Sequence, residues 1–456
     1  MARDADDATP ISSQSELVAY LEAGVKDRSA PLRVGTEHEK IPFYKNGHAP
    51  VPYAPNGVRA LLEGLRQKSG WRGIFDRDAL IGLYDENSGG AISLEPGGQF
   101  ELSGAPLETV HETRAECDRH FEMLKAVADP LGVGFLDLGA SPKWSRAETP
   151  SMPKQRYKIM SAYMPKVGRL GLDMMFRTAT IQVNLDFTSE ADMVKKLRVG
   201  LALQPVVTAL FANSPFIDGK PSGALSQRSA IWRDTDPART GMLPFAFEEG
   251  MGFERYVDYA LDAPLYFVKR GDVYHDVAGT SFRDLMAGRL PQLPGERATI
   301  ADWANHLSTL FPEARLKTYL EMRGADAGPR AHMTALPALF AGLLYDSEAL
   351  EGASELIRDW SAEDREKLRA EAPIQALAAR IGGRSVREVA GDMLSLARGG
   401  LARRVHRNAE GQDETVYLAP LEAIVDRGRP LAAERLEAFH ARWGGALEPA
   451  FSECAL

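Results

Sequence analysis

Along residues 178–187 apolar and polar side chains alternate without a break. Ala179, Ile181, Val183, Leu185 and Phe187 hold the odd positions, and Thr178, Thr180, Gln182, Asn184 and Asp186 the even ones. A period of two predicts a β-strand with one buried face. In AISLEPGGQFELS (91–103), Ile92, Leu94, Phe100 and Leu102 oppose Glu95, Gln99 and Glu101, with Pro96-Gly97-Gly98 suited to a turn, so a hairpin is expected. PLYFVKRGDVYHDV (264–277) reads as a second hairpin turning at Arg270-Gly271-Asp272, and its RGD is taken as turn chemistry rather than an adhesion signal. In RLKTYLEMRGAD (315–326), Leu316, Thr318, Leu320 and Met322 alternate with Lys317, Tyr319, Glu321 and Arg323, which sets Glu321 and Arg323 on one face.

Helix starts are marked where a Ser or Thr precedes an acid by three residues, the pair that caps free backbone N–H groups: Ser13/Glu16, Thr109/Glu112, Ser361/Asp364 and Ser385/Glu388. Helices are predicted over about 15–27 and 110–128, over about 190–213 with a kink or break near Pro205, and through most of the C-terminal third. Hairpins flanked by helices, without βαβ alternation, predict an α+β fold on an antiparallel sheet. One domain is expected, with a helical segment over 1–30, a catalytic core over 31–345 and a helical part over 346–456. The loop at about 139–155, rich in Ser, Pro and charge, is a candidate lid.

The balance of 54 Lys and Arg against 63 Asp and Glu gives a net charge of −9, which excludes nucleic-acid binding by bulk charge. No apolar run is long enough to span a membrane. Two cysteines, Cys117 and Cys454, are too few for a disulfide scaffold. The acidic opening residues resemble neither a signal nor a transit peptide, so a cytoplasmic protein is expected.

The candidate chemistry lies in acids on polar strand faces. In VGTEHEKI, Glu37 and Glu39 project from one face about 6 to 7 Å apart, and His38 faces away from them. Glu95 and Glu101 share the polar face of their hairpin. Converging carboxylates repel by roughly 4 kcal/mol per pair at 4 Å and an effective dielectric of 20, so such a cluster requires cations. Mg²⁺, or Mn²⁺, suits oxygen ligands and shares its shell with phosphates, which points to ATP. No Walker loop, kinase signature or dinucleotide fingerprint is present. Arg156, Arg228 and Arg323 are candidate clamps for phosphate or carboxylate, and Trp144 and Trp232 either stack on a base, cover a substrate or pack in the fold.

The segments GTEHEK, LEPGGQFELSGAP, MPKQRYKIM, MPKVGRLGLDMMFRTATIQVNLDF, LALQPVVTALFANSPF, RSAIWRDTDPARTGMLPF and RLKTYLEMRGAD closely resemble the plant and proteobacterial type of glutamate–cysteine ligase. The resemblance implies a curved antiparallel sheet similar to that of glutamine synthetase, surrounded by helices. It implies joining of the γ-carboxylate of glutamate to the amine of cysteine with ATP, through a γ-glutamyl phosphate, as the first step of glutathione synthesis. Carried over by motif, Glu37, Glu39, Glu95, Glu101 and Glu321 would hold divalent metals, with Gln182 where more distant members place a histidine. Arg323 would steady the transferring phosphoryl group. Arg156 and Arg228 would bind phosphate or the glutamate α-carboxylate, with Tyr157, Asn184 and Trp232 lining the substrate and nucleotide site. The partners would be glutamate, cysteine and ATP, and the chain a monomer or homodimer. Plant members carry redox cysteine pairs where this chain has Arg114, Thr334, Val277 and Gln292, so no equivalent disulfide switch is expected. A ligase of the same fold using a different amine, and a metal-dependent hydrolase, are the alternatives.

Overall fold

The computed structural model describes residues 5–456. Its largest sheet has nine strands: β1 (Val34–Tyr44), β2 (Arg72–Asp76), β3 (Ala79–Tyr84), β4 (Ala91–Leu94), β5 (Phe100–Ser103), β6 (Val133–Leu136), β7 (Thr180–Leu185), β8 (Ala314–Leu316) and β9 (Leu320–Asp326). They lie in the order β8-β9-β7-β1-β5-β4-β3-β2, and every pairing is antiparallel. β1 is the hinge of this arrangement. Its first half pairs with β7 and β5, while residues 41–44 leave them to pair with β6. The α+β organisation predicted from the alternating segments therefore holds, and the hairpins at 91–103 and 267–276 form with the expected turns.

Three of the four predicted capping boxes close: Thr109/Glu112, Ser361/Asp364 and Ser385/Glu388. At the first helix Glu16 instead accepts from the backbone and hydroxyl of Ser12, and that helix ends at Glu22, short of the predicted 27. The helix Glu190–Leu210 continues through Pro205 rather than breaking there. Its residues from Val199 onward are buried on every side, so packing against the sheet and neighbouring helices offsets the one backbone bond that proline forfeits.

The apolar face of the sheet rests on the helices Glu190–Leu210 and Arg330–Leu344, which carry the largest core cluster. A smaller cluster joins Ile41, Phe43, Leu136 and Trp144 to Phe439, Trp443, Phe451 and Cys454. There the far C-terminal segment docks beside β6, with Ala455 bridging to Leu136 and the Leu456 amide donating to Phe135. Among the described residues no helix is long and apolar enough to cross a membrane.

The 139–155 loop is not the lid its composition suggested. Trp144 is buried against Phe451 and donates to the His48 carbonyl, the packing alternative among the roles open to it. Lys154 is also buried, donating to the Leu94 carbonyl. Both ends of the loop are therefore pinned to the body.

Candidate active site

The polar face of the sheet can be followed row by row from the strand registers. One row runs Ser93 (β4), Glu101 (β5), Glu39 (β1), since Ser93 lies opposite Glu101 and Glu101 opposite Glu39. The next runs Ser103, Glu37, Gln182, and a third sets Asn184 against Glu321 and Glu321 against Arg315. Two glutamates directly across a strand pair are unfavourable unless a cation intervenes. At about 5 Å and an effective dielectric of 20 the repulsion is about 3 kcal/mol.

Glu37, Glu39, Glu95, Glu101, Gln182, Arg156, Tyr157, Arg228, Trp232 and Arg323 line a single cavity of about 120 Å³. Ten of the twelve predicted site residues are thus brought together. Asn184 stands at the edge and donates to Glu37 at 3.0 Å. Glu321 is the exception. It is 0% exposed and lies beneath the cavity wall, with Arg315 bridging both carboxylate oxygens at 2.7–3.0 Å, Lys317 at 3.0 Å and Arg323 also paired to it. Its oxygens are committed to three cations, which opposes the ligand role the resemblance implied for it and makes it an anionic hub. Arg315, which also donates to the Ser308 and Leu310 carbonyls, was missed. Only its place opposite Glu321 on the neighbouring strand could have revealed it.

Among the described residues, none of the four remaining acids, Glu37, Glu39, Glu95 and Glu101, forms an ion pair. Glu101 accepts from Ser93 at 2.7 Å and Ser103 at 2.5 Å, Glu39 from the Thr180 amide at 3.0 Å, and Glu95 from no described side chain. Burial, then the charges of Glu95 and Glu101, push Glu39 well above the usual carboxylate range. Burial and Glu101 raise Glu95 likewise. The same cavity is lined by arginines. Arg323 donates to Gln182 at 2.5 Å, and Arg228 reaches the Arg323 carbonyl at 2.8 Å and makes no ion pair among the described residues. Trp232 packs edge-on to Phe311, and the Tyr157 hydroxyl donates to Leu94 at 2.5 Å. Acids and arginines thus line one small space.

The acids suit hard divalent ions by their donors: four carboxylates in no ion pair among the described residues, and the buried Asn184 amide oxygen, which has no hydrogen-bond partner among them. As placed, no three acid, histidine or cysteine side chains among the described residues surround one metal-sized point. The fit therefore lies in donor type and crowding of charge. His38 faces the other way, stacked on Phe121 beside His120 and the buried Lys40.

Residues 33–453 match the model of glutamate-cysteine ligase family 2. The chain is 51% identical to glutamate–cysteine ligase B, chloroplastic, of Oryza sativa subsp. japonica over 97% of its own length and 87% of that protein's. To the chloroplastic enzyme of Arabidopsis thaliana it is 51% identical over 98% and 83%. The fold also matches the crystal structure of a glutamate–cysteine ligase from Francisella tularensis in complex with AMP, with a TM-score of 0.56 at 12% identity over 94% of this chain and 88% of that one. The chloroplastic relatives overturn the cytoplasmic placement expected above, because scarce cysteines indicate a reducing environment without saying which compartment supplies it. By the span of the family match and by half-identity along nearly its whole length, the chain belongs to glutamate-cysteine ligase family 2.

Proposed function

We propose that the acid-and-arginine cavity is where this ligase activates glutamate for attack by an amine. As a member of its family the chain is an ATP-dependent ligase that forms γ-glutamylcysteine, the first step of glutathione biosynthesis. What supports the siting is one observation: Glu39 and Glu101 face each other across β1 and β5 in the same small cavity that Arg156, Arg228 and Arg323 also line.

A carboxylate is a poor electrophile, so the γ-carboxylate of glutamate must be phosphorylated before an amine can displace its oxygen. The bond from the γ-phosphorus of ATP to its bridging oxygen breaks as the new P–O bond to the carboxylate forms, and ADP leaves. The cysteine amine then attacks the acyl carbon, phosphate departs with the C–O bond electrons, and the amine loses a proton. Glu37, Glu39, Glu95 and Glu101 would hold Mg²⁺ or Mn²⁺, which supplies neutralisation of the charge gathering on the transferring phosphoryl group. Arg323, held by Glu321 and Gln182, offers a fixed guanidinium to the same charge. Arg228 keeps N–H donors for the glutamate α-carboxylate. The cavity is far too small for a whole nucleotide, and Arg156 also lines an adjoining recess of about 460 Å³ bordered by Arg72, Arg77, Lys154 and Lys269, into which the nucleotide extends. Trp232 and Phe311 form an apolar wall that limits water.

The test is purified protein with ATP, glutamate, cysteine and Mg²⁺, following phosphate release and the mass of the product, with 2-aminobutyrate in place of cysteine to probe the thiol. Turnover at full rate in excess chelator would overturn the metal-holding role of the acids. A different condensed mass would reassign the amine.

A further inference from the structure

Asp326 closes β9 and is 1% exposed, yet no lysine or arginine pairs with it among the described residues. A bulge puts it there. Met322 lies opposite Val183, but Ala325 lies opposite Ile181, so three steps along β9 match two along β7. The extra residue beside Gly324 turns residue 326, rather than 325, to the polar face that already carries Glu321 and Arg323. The side chain also needs the bare backbone of Gly139, where a Cβ would sit 2.5 Å from the Asp326 Cβ.

Each carboxylate oxygen of Asp326 is taken by a neutral donor. Ser226 donates to Oδ1 at 2.7 Å, while Ser214 at 2.6 Å and the Asn213 amide at 2.9 Å donate to Oδ2. Both serines carry the contact onward to the helix Gln227–Trp232. Ser226 is its N-cap, accepting from the Ser229 amide at 3.1 Å, and Ser214 accepts from the Arg228 amide at 3.1 Å. The segment entering the helix is tied as well, since the Leu225 and Ser226 amides both donate to the Pro373 carbonyl. Asp326 is the foremost negative charge acting on the buried Arg228 guanidinium, although the two make no ion pair. An acid in direct contact would neutralise that arginine and occupy its donors. One screened by two hydroxyls and an amide balances its charge and leaves the donors for a ligand.

We propose that Asp326 is a positioning residue for Arg228, acting through Ser214 and Ser226 to fix the helix that aims the guanidinium into the cavity. The inference rests on the reading of Arg228 as a group that binds the glutamate carboxylate. Displacing such a group by about 1 Å costs up to about a hundredfold.

The test compares KM for glutamate, KM for ATP and kcat in the parent, Asp326→Asn, Arg228→Ala and the double variant. Asp326→Asn should raise the KM for glutamate on the order of tenfold while that for ATP stays within about twofold, and in the Arg228→Ala background it should add less than about twofold. Ser226→Ala, which retains the acid, carries the same comparison if Asp326→Asn does not fold. Effects that multiply in full in both backgrounds, or an unchanged KM for glutamate in both Asp326→Asn and Ser226→Ala when Arg228→Ala raises it, overturn this inference alone. If Arg228→Ala itself leaves both KM values unchanged, the assignment of Arg228 to the substrate fails, and the inference falls with it.

Discussion

Replacing Glu321 by Gln separates a structural anion from a metal ligand, because the two roles give stability changes of different sign. In the native arrangement Arg315 Nε and Nη2 and Lys317 Nζ all reach Glu321 Oε2 within 2.8–3.0 Å. An amide in that position turns an NH₂ toward three donors, and the remaining oxygen carries only a partial charge. Breaking a buried pair in this way costs about 3 to 5 kcal/mol. For one cooperative unit of 456 residues, an unfolding entropy of about 2.1 cal/mol/K per residue amounts to about 1 kcal/mol/K, so the melting temperature should fall by roughly 3 to 5 °C. The linkage sign supports the same reading. Burial alone would raise the Glu321 carboxyl, but Arg315, Lys317 and Arg323 hold it well below the usual range. Its contribution is therefore complete above the unfolded carboxylate pKa of about 4.3 and is lost as pH falls toward the folded value. The gap between parent and variant should stay constant from about pH 5.5 to 8 and narrow in acid. Differential scanning calorimetry in EDTA is the assay. Glu39→Gln is the control of opposite sign, since neutralising a carboxylate that Glu95 and Glu101 repel should leave the metal-free protein as stable as the parent or more so. A Glu321→Gln protein melting within about 1 °C of the parent in EDTA would refute the hub assignment.

Glu39→Gln and Glu101→Gln should each lower kcat by at least about a hundredfold, and the rise in melting temperature that Mg²⁺ gives the parent should be lost in both. Lys40, buried behind the sheet with a pKa lowered to about 7 by burial, is neutral in the folded state and charged in the unfolded chain between about pH 7 and 10.4. The unfolded state binds the extra proton there, so stability should climb with pH across that window by a few kcal/mol, and Lys40→Met should flatten the climb in urea titrations. Cys117 and Cys454 are buried with thiols pushed up to about 11 and about 12, so a thiol reagent should modify neither until the protein unfolds, and mild oxidant should leave kcat unchanged. Labelling or inhibition at a rate faster than global unfolding would contradict this.

How much of this was legible in the chain depended on whether the signal was local. The alternation through Thr180–Leu185 and the two hairpins announced themselves because period and turn chemistry lie within a dozen residues. The acids of β1 and β5 could be placed on polar faces by parity, and the registers put Glu39 opposite Glu101. Parity failed at β9, where the bulge at Gly324 moves Asp326 onto the face that simple alternation would assign to Ala325. It was also silent about Arg315, whose relation to Glu321 exists only once two strands are paired. Pro205 misled in the opposite direction, since a proline argues locally for a break while burial on all sides keeps the helix whole. The 139–155 loop looked mobile by composition, but Trp144 and Lys154 find partners far away in sequence.

The strip at residues 436–456 has a consequence for how the protein is made. Ala455 and Leu136 are some 320 positions apart, and translation at about 5 to 20 residues per second separates their emergence by roughly 15 to 60 s. Over the final part of that interval, once β9 has emerged, the outer edge of β6, with Leu138 and Trp144 beside it, still lacks its cover on a nascent chain whose nine strands are all made. Unpaired strand edges of this kind are what chaperones bind and what neighbouring nascent chains join. Yield from recombinant synthesis should therefore be governed by late sealing of this edge, and a slower translation rate over the last hundred codons should lower it even when the finished enzyme is no less stable.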